Sequence, residues 1–295
     1  MAVERGPGAL GLGTATALPG YGVGDGSGDP AALSDVIRAA LGAGVRYVDT
    51  AAAYGAGESL LGELAGLLTR TAVRVCTKVS RSELHAGLEP SLGRLRFHAV
   101  DTVLLHSARG HDVVDGGVAR ALSSMKASWR TARTGASTYG VEDARTALAQ
   151  PWCDTLQVEH SVLNPSVVAA VRRAKRPGQE LVVRSALCKG LLTARRRALP
   201  EAFGDVVALV DELDGVASGW GFTLPELAIR YALDTPCVDV VLVGMASAPE
   251  LELALAALRR PPLAPWQMDE LARFDRSDDD LVHPERWETA DRLAR

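Results

Sequence analysis

Four residues in the first half of the chain have the chemistry to pass a proton among themselves. Asp49 closes the run Val45-Arg46-Tyr47-Val48, and Tyr54 follows it on a loop of small residues. Lys78 closes the apolar run at 73–77, and His106 closes Val103-Leu104-Leu105. A lysine at the end of an apolar strand must find a counter-charge or lose its own, and Asp49 is the natural partner. An ammonium within about 4–6 Å of a phenol is expected to lower its pKa by roughly 1–3 units, from about 10 toward neutrality. Tyr54 would then give or take a proton, and His106 would orient a substrate oxygen by hydrogen bonding. Each residue alone has a plainer reading: Asp49 as a loop cap, Tyr54 as a core aromatic with a wet hydroxyl, Lys78 as a solvated charge, His106 as structural. Their gathering at the same end of three neighbouring strands favours a site.

Such a gathering needs a scaffold in which strand after strand delivers its last residue to one place. Strands are expected at 45–49, 73–78, 100–106, 131–137, 154–159, 181–186 and 238–243, and the Gly-punctuated run Ala9 to Thr14 makes an eighth. Helical patterns separate them at 30–42, 58–68, 83–95, 113–126, 141–149, 165–175, 205–218, 223–234 and 248–259, the first with Asp29 as cap and Pro30 at its first position. Eight strands alternating with helices predict an α/β fold, a single-domain (β/α)8 barrel over residues 1–295. The C-terminal strand ends of such a barrel line one mouth. Here they bring Thr14, Asp49 with Tyr54, Lys78, His106, Ser137, Gln157, Arg184 with Ser185, and Gly244 to Ser247. The Gly-rich stretch 19–30 lacks the GxxxxGK[ST] pattern, and no strand enters it in GxGxxG register, so it reads as a mobile surface loop.

Composition excludes other classes of function. The 295 residues are 47% hydrophobic with a formal charge of −4, which gives no electrostatic footprint for nucleic acid or an anionic membrane. No long apolar run suggests a membrane span, and the opening MAVERGPGAL lacks the core of a signal peptide, so a cytoplasmic location is expected. Cys76, Cys153, Cys188 and Cys237 lie far apart and read as reduced thiols, Cys188 as a packed one. His85, His98 and His111 lack ligand spacing, and no metal site is expected. The basic run Arg195-Arg196-Arg197 reads as a solvated face, while the segment with Asp278-Asp279-Asp280 and Trp287 either folds over the mouth or finishes the surface.

The sequence resembles the aldo-keto reductase family nearly end to end. The matching stretches are GLGT at 11–14, VRYVDTAAAYGAGESLLGE at 45–63, VCTKVS at 75–80, SLGRLRFHAVDTVLLHS at 91–107, TGASTYGVEDA at 134–144, LQV at 156–158, GLL at 190–192, and LPELAIRYAL with VVLVG within 224–244. The resemblance implies a catalytic tetrad of Asp49, Tyr54, Lys78 and His106, with Tyr54 as general acid, Lys78 and Asp49 tuning it, and His106 orienting a carbonyl. It implies a nicotinamide cofactor, NADP(H) or NAD(H), held by Gly13, Thr14, Ser137, Gln157, Arg184, Ser185, Gly244 and Ser247, with Ser137 and Gln157 on the carboxamide. It further implies a small-molecule carbonyl substrate and a monomer or small homo-oligomer.

Several positions depart from the family pattern. Ser137-Thr138 stands for Ser-Asn, Gln157-Val158-Glu159-His160-Ser161 stands for QVxxN, and Arg184 stands where an aromatic ring stacks on the nicotinamide. A cation there disfavours a positively charged oxidised cofactor and suits an anionic substrate. Where the family commonly places a basic residue, a Ser, an Arg or Gln, and Glu-Asn around the adenosine phosphate, this chain has Ala246, Ser247, Glu250, Leu253 and Ala254. A 2′-phosphate normally needs Arg or Lys, and Glu250 would oppose it. Two readings therefore stand: a carbonyl reductase that tolerates NADH, or a barrel that has lost the cofactor and uses the tetrad for proton transfer as a lyase, dehydratase, isomerase or cyclase.

Overall fold

The apolar runs between the helical patterns all become parallel strands. In the computed structural model, which describes residues 6–18, 20–23 and 29–287, the strands are β1 (Leu10–Gly13), β2 (Tyr47–Asp49), β3 (Arg74–Val79), β4 (Val100–Ala108), β5 (Thr131–Thr138), β6 (Thr155–Glu159), β7 (Glu180–Arg184) and β8 (Val240–Gly244). They pair in chain order and close, β8 against β1, into an eight-stranded barrel. Runs such as Val-Val-Leu-Val in β8 carry no polar alternation because both faces of a parallel barrel are covered.

The two-residue period of a strand then sorts the lumen into layers. One inward layer is an apolar plug of Tyr47, Cys76, Leu104, Val182, Val240 and Leu242. Gly11 makes room for it, since a Cβ there would lie 2.6 Å from Leu242 and 3.2 Å from the Tyr47 ring. Two residues further along the same strands come Asp49, Lys78, His106 and Arg184, one layer nearer the mouth. The plug keeps water out from below, so the polar layer is solvated only from the open end.

Outside the strands the main core joins leucines and valines of the surrounding helices, including Leu33, Ile37, Leu61, Leu95, Leu122, Leu148 and Val171. A second cluster, with Val210, Leu213, Leu227, Tyr231 and Phe274, joins helices Gly204–Gly219 and Leu224–Asp234 to the C-terminal segment. The first helix, Pro30–Gly42, starts at the expected cap, with Asp29 accepting from the Ala31 amide at 3.0 Å. Among the described residues no helix is long and apolar enough to cross a membrane.

Several expected helices are broken. The stretch 58–68 divides into Gly57–Glu63 and Ala65–Arg70. The stretch 83–95 becomes a 3-10 turn, Arg81–Ala86, and a helix, Glu89–Leu95, separated by Gly87 at φ +68°. Asp115 recaps 113–126, accepting from the Gly117 amide at 2.6 Å, so that the long helix is Gly116–Ala127. Strand 181–186 stops at Arg184 because Ser185 turns to φ +65°. Of the loop expected at 19–30, residues 19 and 24–28 lie outside the described set, but Tyr21 and Val23 pack inward, and the Val23 amide donates to the Lys189 carbonyl at 2.9 Å.

Candidate active site

At the C-terminal mouth, β2 and β3 place Asp49 and Lys78 in direct contact, both almost fully buried. The Lys78 ammonium also donates to the Thr50 carbonyl at 2.9 Å. Burial alone would drive the ammonium pKa down, but the facing Asp49 carboxylate and the Tyr54 phenol raise it well above its ordinary value, so Lys78 stays charged. The other Asp49 oxygen accepts from Gln157 Nε2 at 2.7 Å, and Ser137 donates to Gln157 Oε1 at 3.1 Å. A hydrogen-bonded chain thus runs Ser137–Gln157–Asp49–Lys78 across four strands and fixes the direction of the ion pair.

Tyr54 comes from the β2 loop and lies over this pair. Its ring centroid is 4.7 Å from the Lys78 ammonium and 5.6 Å from the His106 ring, which meets it edge-on. The expected drop in the Tyr54 pKa does not occur: burial raises it, and that outweighs the lowering by Lys78. The sequence reading weighed the cation but not the desolvation. His106 is pushed down to about 4, by burial first and the Lys78 charge second, so it is neutral at pH 7 and can donate one N–H.

A cavity of about 400 Å³ opens at Asp49 and Tyr54, which line it, whereas Lys78 and His106 do not. Of the expected cofactor residues, Gly13, Arg184, Ser185 and Gly244 line it, whereas Thr14, Ser137, Gln157 and Ser247 do not. The Thr14 hydroxyl donates to Thr50 Oγ1 at 2.9 Å. The cavity's lining joins Asp49 and Tyr54 to Ser185, Gly190 and Glu250. Its wall at 185–190 contains three non-glycine residues in the left-handed region, Ser185, Cys188 and Lys189, a local strain that marks functional loops. Thr16 also lines it, and its buried Oγ1 has no hydrogen-bond partner among the described residues. A cleft of this size with an unsatisfied hydroxyl suits an extended polar ligand.

Arg184 lies across one side of the mouth, stacked 4.1 Å over the Tyr139 ring. It donates to the Thr138 carbonyl at 2.8 Å and stands 3.6 Å from Glu159. Two residues not singled out in the sequence, His283 and Glu285, gather here with Glu159. Glu159, His283 and Glu285 bring ligand-type atoms within 4.8 Å of one another. His283 donates to the Ser277 carbonyl at 2.8 Å and faces Glu285 at 3.4 Å, and the Glu285 hydrogen bond raises its pKa. Arg184 faces Glu159 and His283 faces Glu285, so each basic side chain here has a carboxylate neighbour. The C-terminal segment therefore packs against the loops beyond β6 and β7, with Lys189 donating to the Pro284 carbonyl at 3.3 Å. Two other readings are settled by contacts. Cys188 is packed, its thiol 3.2 Å from Ser161 Oγ. The basic run is a solvated face at Arg195 and Arg197, but Arg196 is buried between Asp211 at 2.8 Å and Asp214 at 2.7 Å. Those aspartates lie on a later helix, which one-dimensional reading could not bring to it.

A closed parallel barrel with a buried ion pair and two proton-carrying groups at its C-terminal mouth has the build of a barrel enzyme. A sequence profile of the aldo/keto reductase family matches residues 9–276; the chain belongs to that family and is an oxidoreductase. It is similar to the aldo-keto reductase YhdN of Bacillus subtilis (strain 168), 25% identical over 254 residues that cover 74% of this chain and 76% of that one. It is also similar to a 6-dehydroglucose reductase of Novosphingobium aromaticivorans, 24% identical over 78% of this chain and 81% of that protein. Among solved structures, the holo form of the aldo-keto reductase AKR11C1 from Bacillus halodurans superposes with a TM-score of 0.76 at 21% identity, covering 94% of this chain and 97% of that one. An aldo/keto reductase from Klebsiella pneumoniae, solved with NADP and acetate, gives 0.68 at 22% identity, covering 90% of each chain.

Proposed function

We propose that this protein reduces the carbonyl group of a small molecule, with Tyr54 donating the proton and a nicotinamide dinucleotide as its partner. The observation that carries the reading is the buried Lys78–Asp49 pair directly beneath the Tyr54 ring, with neutral His106 at its edge. When bound, the cofactor supplies the hydride. The chain's own residues supply the rest. His106 donates its N–H to the carbonyl oxygen and fixes its position. Tyr54 passes its proton to that oxygen as negative charge builds there. Lys78, held charged by Asp49, stabilises the phenolate left behind. Asp49 is prevented from turning away by Gln157, and Ser137 holds Gln157.

Gly13, Arg184, Ser185 and Gly244 would hold the dinucleotide along the cleft, with Thr16 offering its free hydroxyl. Thr14, Ser137 and Gln157 would act from behind the wall, through Thr50, Gln157 and Asp49, and Ser247 stands at the N-cap of helix Ala248–Arg259. NADP is the ligand of the Klebsiella structure, and its 22% identity carries the fold but not the cofactor choice. Arg184 puts a permanent charge at the mouth, only part of it met by Glu159 at 3.6 Å, which suits a substrate with a carboxylate or phosphate group.

The test is oxidation of NADH and NADPH by purified protein with a panel of neutral and anionic aldehydes and ketones. Carbonyl-dependent oxidation with formation of the matching alcohol is the expected result, and Arg184→Met should raise KM for the anionic members about tenfold more than for the neutral ones. No oxidation with any carbonyl, from protein that binds neither dinucleotide, would refute the redox reading and leave proton-transfer chemistry at the same four residues.

A further inference from the structure

The cleft that Tyr54 lines also holds the carboxylate of Glu250. Glu250 is the third residue of helix Ala248–Arg259 and lines the same cavity as Tyr54, together with Leu253 and Arg195. One of its oxygens accepts from the Ala246 amide at 2.7 Å, and the other receives Arg195 at 2.6 Å. About a third of its side chain is exposed. We infer that Glu250 sets the cofactor preference of this enzyme, selecting NADH against NADPH.

The inference rests on the nicotinamide reading and on the shape of the cleft. The reacting ring has to stand beside the carbonyl that faces Tyr54 and His106, so one end of the dinucleotide is fixed there. The remainder would lie in the lined cavity, whose walls also hold Ser185, Gly244 and Glu250, and the adenosine end would meet Glu250. NADPH differs from NADH at that end by one phosphate, roughly −1.5 to −2 charges at neutral pH. A helix N-terminus ordinarily welcomes such an anion through its free amides and dipole. Here Glu250 already takes the Ala246 amide and the Arg195 guanidinium, so an arriving phosphate meets a carboxylate in place of its own partners. The ribose 2′-hydroxyl of NADH is a donor, which a carboxylate accepts.

The test is a binding titration of the full chain with NADH and with NADPH, following quenching of tryptophan fluorescence. The expected result is NADH at least tenfold tighter in the wild type. In Glu250→Gln the ratio should narrow about tenfold, chiefly through tighter NADPH, because the amide removes the repelling charge. Arg195→Ala, which strips Glu250 of its counter-charge, should widen the ratio. NADPH binding as tightly as NADH in the wild type, or a ratio unmoved in Glu250→Gln, overturns the assignment while leaving the carbonyl-reductase reading intact. Failure of both dinucleotides to bind overturns the two together.

Discussion

Lys78 and Asp49 are each almost completely removed from water, and neither charge is tolerable there without the other. Lys78→Met should therefore destabilise the fold by about 3–5 kcal/mol, because it strands the Asp49 carboxylate. Lys78→Met combined with Asp49→Asn should recover part of that loss in a urea melt; a double variant no more stable than the single would contradict a paired charge. The pH profile of carbonyl reduction follows from the same geometry. With the Tyr54 pKa raised by burial, the donor should stay protonated through neutrality and lose activity only above about pH 10. On the acid side His106 should stay neutral until pH approaches about 4. A kcat/KM profile already falling between pH 7 and 8 would show that Lys78 outweighs desolvation after all. The four residues were legible in the sequence because each ends or follows a strand. The direction of the Tyr54 shift was not, since burial depends on everything that packs around the mouth. The meeting of Glu159 with His283 and Glu285 was not legible, because they come together from β6 and a segment more than a hundred residues later.

At the scale of elements, the barrel depends on places where backbone touches backbone. A Cβ on Gly135 in β5 would lie 1.8 Å from the Thr155 carbonyl oxygen in β6. Gly135→Ala should break this strand pair and cost more than about 4 kcal/mol, or abolish soluble expression; a variant within about 1 kcal/mol of wild type would show that the strands can part without loss. A milder case is Thr223, which closes a capping box with Glu226 at the start of helix Leu224–Asp234. Thr223→Ala should cost about 1 kcal/mol, read from the same melt. The order of strands and helices was legible from hydrophobic period and caps alone, with Asp29 and Pro30 placing the first helix to the residue. The breaks were less legible. Gly87 and Asp115 carry the turn and cap chemistry that splits two of the helices, but an apolar periodicity running through them hid it. The division at Leu64 has a tertiary setting: a Cβ on Gly62 would lie 2.1 Å from the Arg94 carbonyl oxygen, so two helices meet there at backbone contact.

For the whole molecule, two histidines buried in neutral form set the response to acid. Burial brings His160 down to about 3 and His106 to about 4, below the ordinary value of about 6.5. Across that interval the unfolded chain binds protons that the folded chain refuses, so stability should fall as pH drops through it. His283 works in the opposite sense: its raised pKa contributes stability below its unfolded value and loses it as pH rises through the folded one. The urea midpoint should thus be lower at pH 4.5 than at pH 7, and the difference should shrink in His160→Gln. An equal slope in that variant would exclude His160 as a cause. The same barrel recurs in proteins little more than one-fifth identical to this one, because strand alternation and a buried plug define it and many sequences provide both.

The central claim is that Tyr54 delivers the proton in a carbonyl reduction. Single-turnover oxidation of bound reduced nicotinamide by a carbonyl substrate, compared between wild type and Tyr54→Phe, tests it most directly. The expected result is unchanged affinity for the dinucleotide and a rate lower by roughly a hundred- to ten-thousand-fold in the variant. A Tyr54→Phe enzyme that turns over at the wild-type rate would contradict it.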